Sequence, residues 1–575
     1  MRSKWLAMLF ISLGISMIMV DASVVNVALP TIIEDIQLTI TDAEWANSIY
    51  PLVFASFLIT FGRLGDRYGR RKLFIIGAIV FMVASVLVAQ STNGPQLIGA
   101  RVIQGLGGAM MLPTSLALVN ATYKGRDRAI AFGLWGATIG GMAAIGPLIG
   151  GWLTTSYSWT WAFWINVPIG IVLVIGTLTL VPESREAHPV AGVDLLGIVL
   201  SILGLGLLVF GLIEGQTYGW FRAVRDVHVL GVTAPAGTLS PVPVAFALSA
   251  VFLAAFYVVE RRREAHDKVI LFDFELYRIR SFGWGNLVAL IVAFGEFGLI
   301  FVLPLFTQSV LGYSAFTTGA LVATLAVGVF LSGATAGPLV NRFGGRRIVR
   351  VGMVLEMIGM LMVAYVISSN VSGVTMIPGL MVYGIGLGFA AAQLTNVVLS
   401  GIPPDKGGQA SGAQSTVRQV GSALGIAVIG AVLVTSLSSM LTTRLNTIPD
   451  LPPAAATSIS DAVSRSAGIA LIRLDEQLAA QGTPAPLAAE IVDESKEAMT
   501  DAARRTIFVA ALFMLLGLLF TLGLPDDKTL LEATEAAEAA EREADQAESD
   551  RADEAAEREA DQAESDRADE AAVGN

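Results

Sequence analysis

GRLGDRYGRRKLFIIG, residues 62–77, returns as GPLVNRFGGRRIVRVG at residues 337–352. Without a gap the copies share Gly62 and Gly337, Leu64 and Leu339, Arg67 and Arg342, Gly69 and Gly344, Arg71 and Arg346, and Gly77 and Gly352. Tyr68 matches Phe343 and Lys72 matches Arg347 in kind. Each copy is a short basic loop between two apolar runs. Gly and Arg are common in such loops, but six identities in register mark a duplicated unit.

Outward from these loops, apolar runs of about 18–25 residues recur along the chain, the length a bilayer demands. We place spans near 6–28, 45–62, 73–90, 97–119, 129–152, 162–181, 194–213, 242–260, 283–304, 317–336, 349–368, 374–400, 413–436 and 506–524. The 575 residues are 54% hydrophobic and only 15% charged, with a mean hydropathy of +0.67. That composition excludes a soluble multidomain chain. The repeated loop follows the second and the tenth spans. Spans one to six therefore correspond to spans nine to fourteen, and spans seven and eight are an inserted pair. The expected fold is an all-α integral membrane protein of two pseudo-symmetric six-helix bundles plus two extra central helices. Its parts are an N-terminal bundle over 1–181, a linker with the extra pair over 182–282, a C-terminal bundle over 283–525 with an outer loop at 437–505, and a tail over 526–575. Two parallel halves place a binding site between them near the midplane.

Charge orients the spans. With both termini inside, the short inner segments hold Arg63, Arg67, Arg70, Arg71 and Lys72, then Arg261, Arg262 and Arg263, then Arg342, Arg346, Arg347 and Arg350. The short outer loops carry only Arg222 and Arg225, as the positive-inside rule requires. The net charge of −11 belongs to the tail. Residues 531–575 hold 17 acidic and 4 basic residues, which leaves the rest of the chain at +2. Within the tail EREADQAESDRADEAA, 541–556, repeats identically at 557–572. With no large apolar stripe to bury, it reads as a solvated segment. Arg2 and Lys4 give a basic start, but no small-residue cleavage site follows, so the first span reads as a retained helix.

The sequence also excludes chemistries. Without cysteine there is no disulfide framework and no thiol chemistry. His188, His228 and His266 fall in expected loops, and neither GxxxxGK[ST] nor HExxH occurs. Nothing calls for a metal, a cofactor or a nucleic-acid partner, and an enzyme or an ATP-driven pump is the disfavoured reading.

What remains are charges where hydrocarbon disfavours them. At 1.5 Å per residue, Asp21 lies about 8 Å below the outer face of a ~30 Å core, and Arg101 about 6 Å below it. Matching depths make an Asp21–Arg101 pair the expectation, either as a static packing pair or as a site that trades the arginine for a proton or a cation. Glu296 lies past the midplane of the ninth span, which offers it no basic residue, and is ranked with Asp21 as a coupling carboxylate. Glu356 lies about 10 Å from the inner face, is expected to snorkel or to pair with an inner-loop arginine, and stands third among the coupling carboxylates after Asp21 and Glu296.

Four stretches name a family. They are Gly62 to Lys72 with Asp66; Leu97-Ile-Gly-Ala-Arg101-Val-Ile-Gln104-Gly105-Leu-Gly107-Gly108; Gly146-Pro147-Leu-Ile-Gly150-Gly151; and Asp21-Ala-Ser-Val-Val-Asn26-Val-Ala-Leu-Pro30. Together with the span count, they resemble the major facilitator superfamily, and within it the fourteen-helix drug:proton antiporter branch. WTWAFWINVPIG (159–170) and STVRQVGSALGIAV, with Arg418 and Gln419, are similar to that branch too. We assign Trp159, Trp161 and Trp164 to an interfacial aromatic belt. The resemblance implies a latch between the halves at Gly62, Asp66, Arg67, Gly69, Arg70 and Arg71, with Asp66 facing the inner N-terminus of the thirteenth span. Asn341 replaces Asp66 in the second copy, whose latch should be weaker. It implies an antiporter signature at Gly146, Pro147, Gly150 and Gly151, although Met142 stands where the pattern has a further glycine. It further implies a monomer in a bacterial inner membrane that exchanges small amphipathic, preferentially cationic compounds for protons and contributes to antibiotic resistance. A metabolite or lipid transporter, or an importer on the same fold, is the alternative, and a transport-like receptor is a third reading.

Overall fold

The computed structural model describes residues 2–526 except 37, 39, 186–193, 225, 230–231, 267 and 404–405. The repeated acidic tail, His188 and Arg225 lie outside the described residues. Fourteen long helices order the rest: α1 (Arg2–Asp35), α2 (Ile40–Tyr68), α3 (Arg70–Ala89), α4 (Gly94–Thr122), α5 (Gly125–Ser156), α6 (Trp161–Leu180), α7 (Leu195–Tyr218), α8 (Pro241–Glu264), α9 (Arg280–Ser309), α10 (Ala315–Phe343), α11 (Gly345–Val366), α12 (Ile377–Leu399), α13 (Gly407–Leu445) and α14 (Ala485–Phe520). Thirteen contain a stretch long and apolar enough to cross a membrane; in α5 the apolar stretch is Ile130–Met142. The strands among the described residues are a small ribbon between α7 and α8, with Val227–Val229 antiparallel to Val232–Ala234.

Capping chemistry sets several helix starts. The Asn93, Asp194, Ser240 and Ser314 side chains accept from backbone N–H groups in the first turns of α4, α7, α8 and α10. The repeated loops turn alike. Gly69 has φ 110° and ψ 125°, and Gly344 has φ 87° and ψ 154°, a region open to glycine and strained for any other residue. The last identity of the repeat is a packing position. A Cβ on Gly77 would lie 2.9 Å from the Gly107 carbonyl oxygen, and one on Gly352 2.7 Å from that of Gly386. Glycine at both lets α3 press onto α4, and α11 onto α12, backbone to backbone.

In the first half α4 packs against α2 and α3, and α1 against α5 and α6. In the second α9 packs against α13 and α14, and α12 against α10 and α11. The halves meet where α2 lies on α13 and where α5 lies on α10 and α12. The hairpin α7–α8 leans on α2 and also touches α13, so the inserted pair contacts both halves. The basic loops lie together at one end of the bundle, hereafter the basic end.

Two expectations change. The segment 437–505, expected as an outer loop with a helix-prone stretch at 458–481, is a shorter connection: α13 continues to Leu445, α14 begins at Ala485, and short helices Pro453–Arg465 and Leu474–Ala480 lie between, where that stretch falls. Hydropathy sees only the apolar part of a helix. Here Arg444 pairs with Glu494 at 2.9 Å, Glu497 at 2.7 Å and Asp501 at 2.9 Å, clamping polar extensions of α13 and α14 together at the far end. Trp159 leaves the aromatic belt, because its ring is buried and its Nε1 donates to Asp35 at 2.7 Å.

Candidate functional site

Asp21 on α1 and Arg101 on α4 are 1% and 2% exposed, and they meet: Arg101 Nη1 donates to Asp21 Oδ2 at 2.8 Å. Gln104, one turn along α4, donates from Nε2 to Asp21 Oδ1 at 2.7 Å and accepts from Arg101 Nη1 at 2.7 Å. Asn166 of α6 adds a donor to Oδ1 at 3.2 Å. Ser85 of α3 accepts from both Gln104 and Asn166, at 3.0 and 3.1 Å. Tyr50 of α2 lays its ring 4.3 Å from the guanidinium carbon. Helices α1, α2, α3, α4 and α6 thus converge on one neutral ion pair with both carboxylate oxygens satisfied. Such a pair repays its desolvation only with this completeness.

The second half is built otherwise. Glu296 on α9 is 3% exposed and pairs through Oε2 with Arg418 of α13, which donates from Nη2 at 3.2 Å. Its Oε1 is buried without a hydrogen-bond partner. The partner absent from the ninth span therefore comes from the thirteenth. Tyr383 of α12 donates from Oη to the Glu296 main-chain oxygen at 3.0 Å. Glu356 of α11 corrects the sequence expectation. It neither snorkels nor reaches an inner-loop arginine: it is fully buried, neither of its oxygens has a hydrogen-bond partner, and it lies within electrostatic reach of Glu296 and Arg418. Arg350, the nearest arginine on α11, turns away to Thr521 at 2.9 Å.

At the basic end Asp66 spans the halves. Its Oδ1 accepts from the Gly408 N–H at 2.7 Å and its Oδ2 from the Gln409 N–H at 2.8 Å, on the first turn of α13. A carboxylate there satisfies orphan donors and meets the positive end of the helix dipole. Arg70 closes the group, donating to Asp66 Oδ1 from Nε at 2.9 Å and Nη2 at 2.7 Å. Gly62 lets α2 lie on the Gly408 carbonyl, which a Cβ would strike. Gly69 makes the turn. Arg71 donates to the Val181 carbonyl at 3.1 Å, while Glu183 accepts from the Arg71 and Lys72 N–H groups at 2.9 and 3.1 Å. Arg67 stacks on Tyr68 at 5.3 Å and stays within its own loop. The described contacts of the second copy fall within its own half. The side chain of Asn341 lies outside the described residues, and Arg346 and Arg350 donate to Leu522 and Thr521 at the end of α14, within their own half.

The linker before α9 joins this closure. Asp273 pairs with Lys406 at 2.5 Å, and its N–H donates to Gln409 at 3.0 Å. Across the other contact between halves, Arg128 of α5 donates to the Leu399 carbonyl of α12 at 2.9 Å.

The glycines of α5 face α1 beside Asp21. A Cβ on Gly146 would strike Ser23 Oγ and lie 3.3 Å from the Val20 Cα; one on Gly150 would lie 2.9 Å from both Val24 methyl groups. Gly151 is buried in the same stretch, the Pro147 side chain lies outside the described residues, and the α-helix continues through both. Gly146→Ala should therefore lower stability by about 1–3 kcal/mol, the usual overpacking cost. Ser23→Ala in the same chain should recover part of it, as thermal unfolding in detergent would show.

Sequence patterns missed Tyr50, Ser85, Asn166 and Tyr383 as parts of these centres. Their signal was weak: single polar or aromatic side chains inside glycine-rich apolar helices.

A model of the family described as Major Facilitator Superfamily matches residues 11–426. The chain is 32% identical over 456 residues to the probable actinorhodin transporter of Streptomyces coelicolor, covering 77% of this chain and 75% of that protein. It is 32% identical over 451 residues to the multidrug resistance protein Stp of Mycobacterium tuberculosis, covering 78% and 80%. Among solved structures it resembles the human organic anion transporter MFSD10, with a TM-score of 0.53 and 14% identity over 82% of this chain and 99% of that one.

Proposed function

The chain belongs to the Major Facilitator Superfamily, and from that premise we propose that it exports small amphipathic or lipophilic compounds, cationic ones foremost, in exchange for protons. The basic end faces the cytoplasm of a bacterial cell, with both termini on that side of the inner membrane, and the carrier works as a monomer. The relatives named for multidrug resistance and for actinorhodin transport support export of such compounds. The observation that carries the coupling is the burial of Asp21 and Arg101 in one half, and of Glu296, Glu356 and Arg418 in the other, each set at the convergence of several helices.

In this reading the structure is the state closed to the cytoplasm. Asp66 holds the first turn of α13 against α2, and Arg128 holds α5 to α12. Protons arriving from outside neutralise cavity carboxylates, the latch releases, and proton loss to the cytoplasm makes room for the substrate. A potential of 100 mV supplies about 2.3 kcal/mol for each net charge moved, so export needs no ATP.

The test is proton movement in inside-out vesicles with a preset acid interior, using ethidium and other lipophilic cations. Substrate should discharge the gradient with the wild-type chain, and Asp21→Asn or Glu296→Gln should cut that discharge at least tenfold. Equal discharge in both variants would remove these two residues from the coupling.

A further inference from the structure

The two buried centres differ in charge balance. In the first half one carboxylate meets one guanidinium, and Arg101, Gln104 and Asn166 occupy both carboxylate oxygens. In the second half two carboxyl groups, Glu296 and Glu356, share one guanidinium. Arg418 hydrogen-bonds Glu296, and Glu296 Oε1 and both Glu356 oxygens have no hydrogen-bond partner among the described residues.

Among the described residues no other neighbour balances the second charge. From Ala315 to Asn341 α10 has no acidic or basic residue, α12 has none from Ile377 to Leu399, and α14 has none from Thr506 to Phe520. The titratable or charged groups facing Glu356 are Glu296 from α9, Tyr383 from α12 and Arg418 from α13. The Tyr383 hydroxyl is committed to the Glu296 carbonyl. Two ionised carboxylates beside one cation in a buried site would carry an uncompensated charge, which costs several kcal/mol. A proton on one of them removes that cost, and the carboxyl without a cation partner is the one to hold it.

We propose that Glu356 carries the exchanged proton in this cytoplasm-closed state, and that Arg418, parked on Glu296, is the cation that replaces the proton when it leaves. This rests on the proton-exchange reading above and reverses the order suggested by the sequence, in which Asp21 and Glu296 stood ahead of Glu356. Helix α13 supplies the transmission. Gly408 and Gln409, held by Asp66, lie nine or ten residues before Arg418 on one continuous helix, about 15 Å along its axis. Releasing the latch frees the helix that carries the arginine, so proton loss and cytoplasmic opening share one moving part. Gly386 lets α12 pack directly on this carboxyl, since a Cβ there would lie 2.9 Å from Glu356 Cγ.

The experiment is infrared difference spectroscopy on the purified full-length chain across a pH titration, paired with the vesicle assay. At neutral pH the wild-type chain should show a carboxylic-acid C=O absorption that is lost in Glu356→Gln, shifted in Glu356→Asp and kept in Asp21→Asn. In vesicles Glu356→Gln should lower gradient-driven ethidium export at least tenfold, with Glu356→Asp recovering part of it. If Glu356→Gln does not fold, the frequency shift in Glu356→Asp still reports the assignment. An absorption unchanged in both Glu356 variants, or lost in Asp21→Asn instead, overturns the proposal. An absorption that depends on Glu356 in a wild-type chain that moves no protons with any substrate overturns the antiport reading, while the proton on Glu356 stands.

Discussion

Arg101→Ala should lower the stability of the purified chain by about 3–5 kcal/mol, among the largest effects of any single substitution. The change removes the only cation among the described residues that pairs with a carboxylate 1% exposed, and it strips the ring of Tyr50 of its partner. Gln104 and Asn166 would still donate to Asp21, but two neutral amides do not balance a charge out of water. Asp21→Ala alone should also be costly, because Arg101 then keeps Gln104, the Ala46 carbonyl at 3.4 Å and the face of Tyr50, none of which carries a negative charge. The double variant should be far better than the sum, with a coupling energy of about 2–3 kcal/mol. Thermal unfolding in mild detergent for all four members of the cycle measures this directly. Additive losses would mean that the pair contributes through packing alone.

Asp66→Ala should open the basic end of the bundle. The substitution takes the charged acceptor from two N–H groups at the start of α13 and leaves Arg70, 3% exposed, without its carboxylate. Hydrogen bonds to a charged group are worth about 1.5–3 kcal/mol each, so a net shift of about 3 kcal/mol, two factors of ten in population, is expected. A chain without cysteine makes the readout simple. Leu58 is fully buried on α2, and its carbonyl faces Gly412 of α13. A cysteine there should react with a water-soluble maleimide about 100-fold faster in the Asp66→Ala background than with Asp66 present. Asp66→Asn, which keeps an acceptor oxygen, should fall between. Unchanged labelling would show that other contacts hold the face shut.

Much of this architecture was legible in the sequence. The paired loops fixed the correspondence of the helices, because a glycine-arginine turn and a close-packed Gly77 or Gly352 leave few alternatives. The Asp21–Arg101 contact followed from equal depth, and the approach of Asp66 to α13 from the family pattern. What stayed hidden depends on how helices rotate about their own axes. Depth alone cannot say that Arg418 turns toward Glu296, or that Glu356 points inward while Arg350 swings to Thr521. The clamp of Arg444 on Glu494, Glu497 and Asp501 was equally out of sight. It joins residues far apart in the chain, and polar stretches of that length read as loop to any measure of hydropathy.

The two copies of the repeated loop now do different mechanical work. The first is a bolt thrown across the halves, and the second a brace fastened to its own half through Thr521 and Leu522. A machine with one bolt waits on one side of its cycle. In the proposed cycle it would idle facing outward between encounters, and the rate at which a cell sheds a compound would be set by how often the bolt slips. Two variants with the same affinity for a compound can then clear it at different speeds, and throughput becomes a matter of duty cycle.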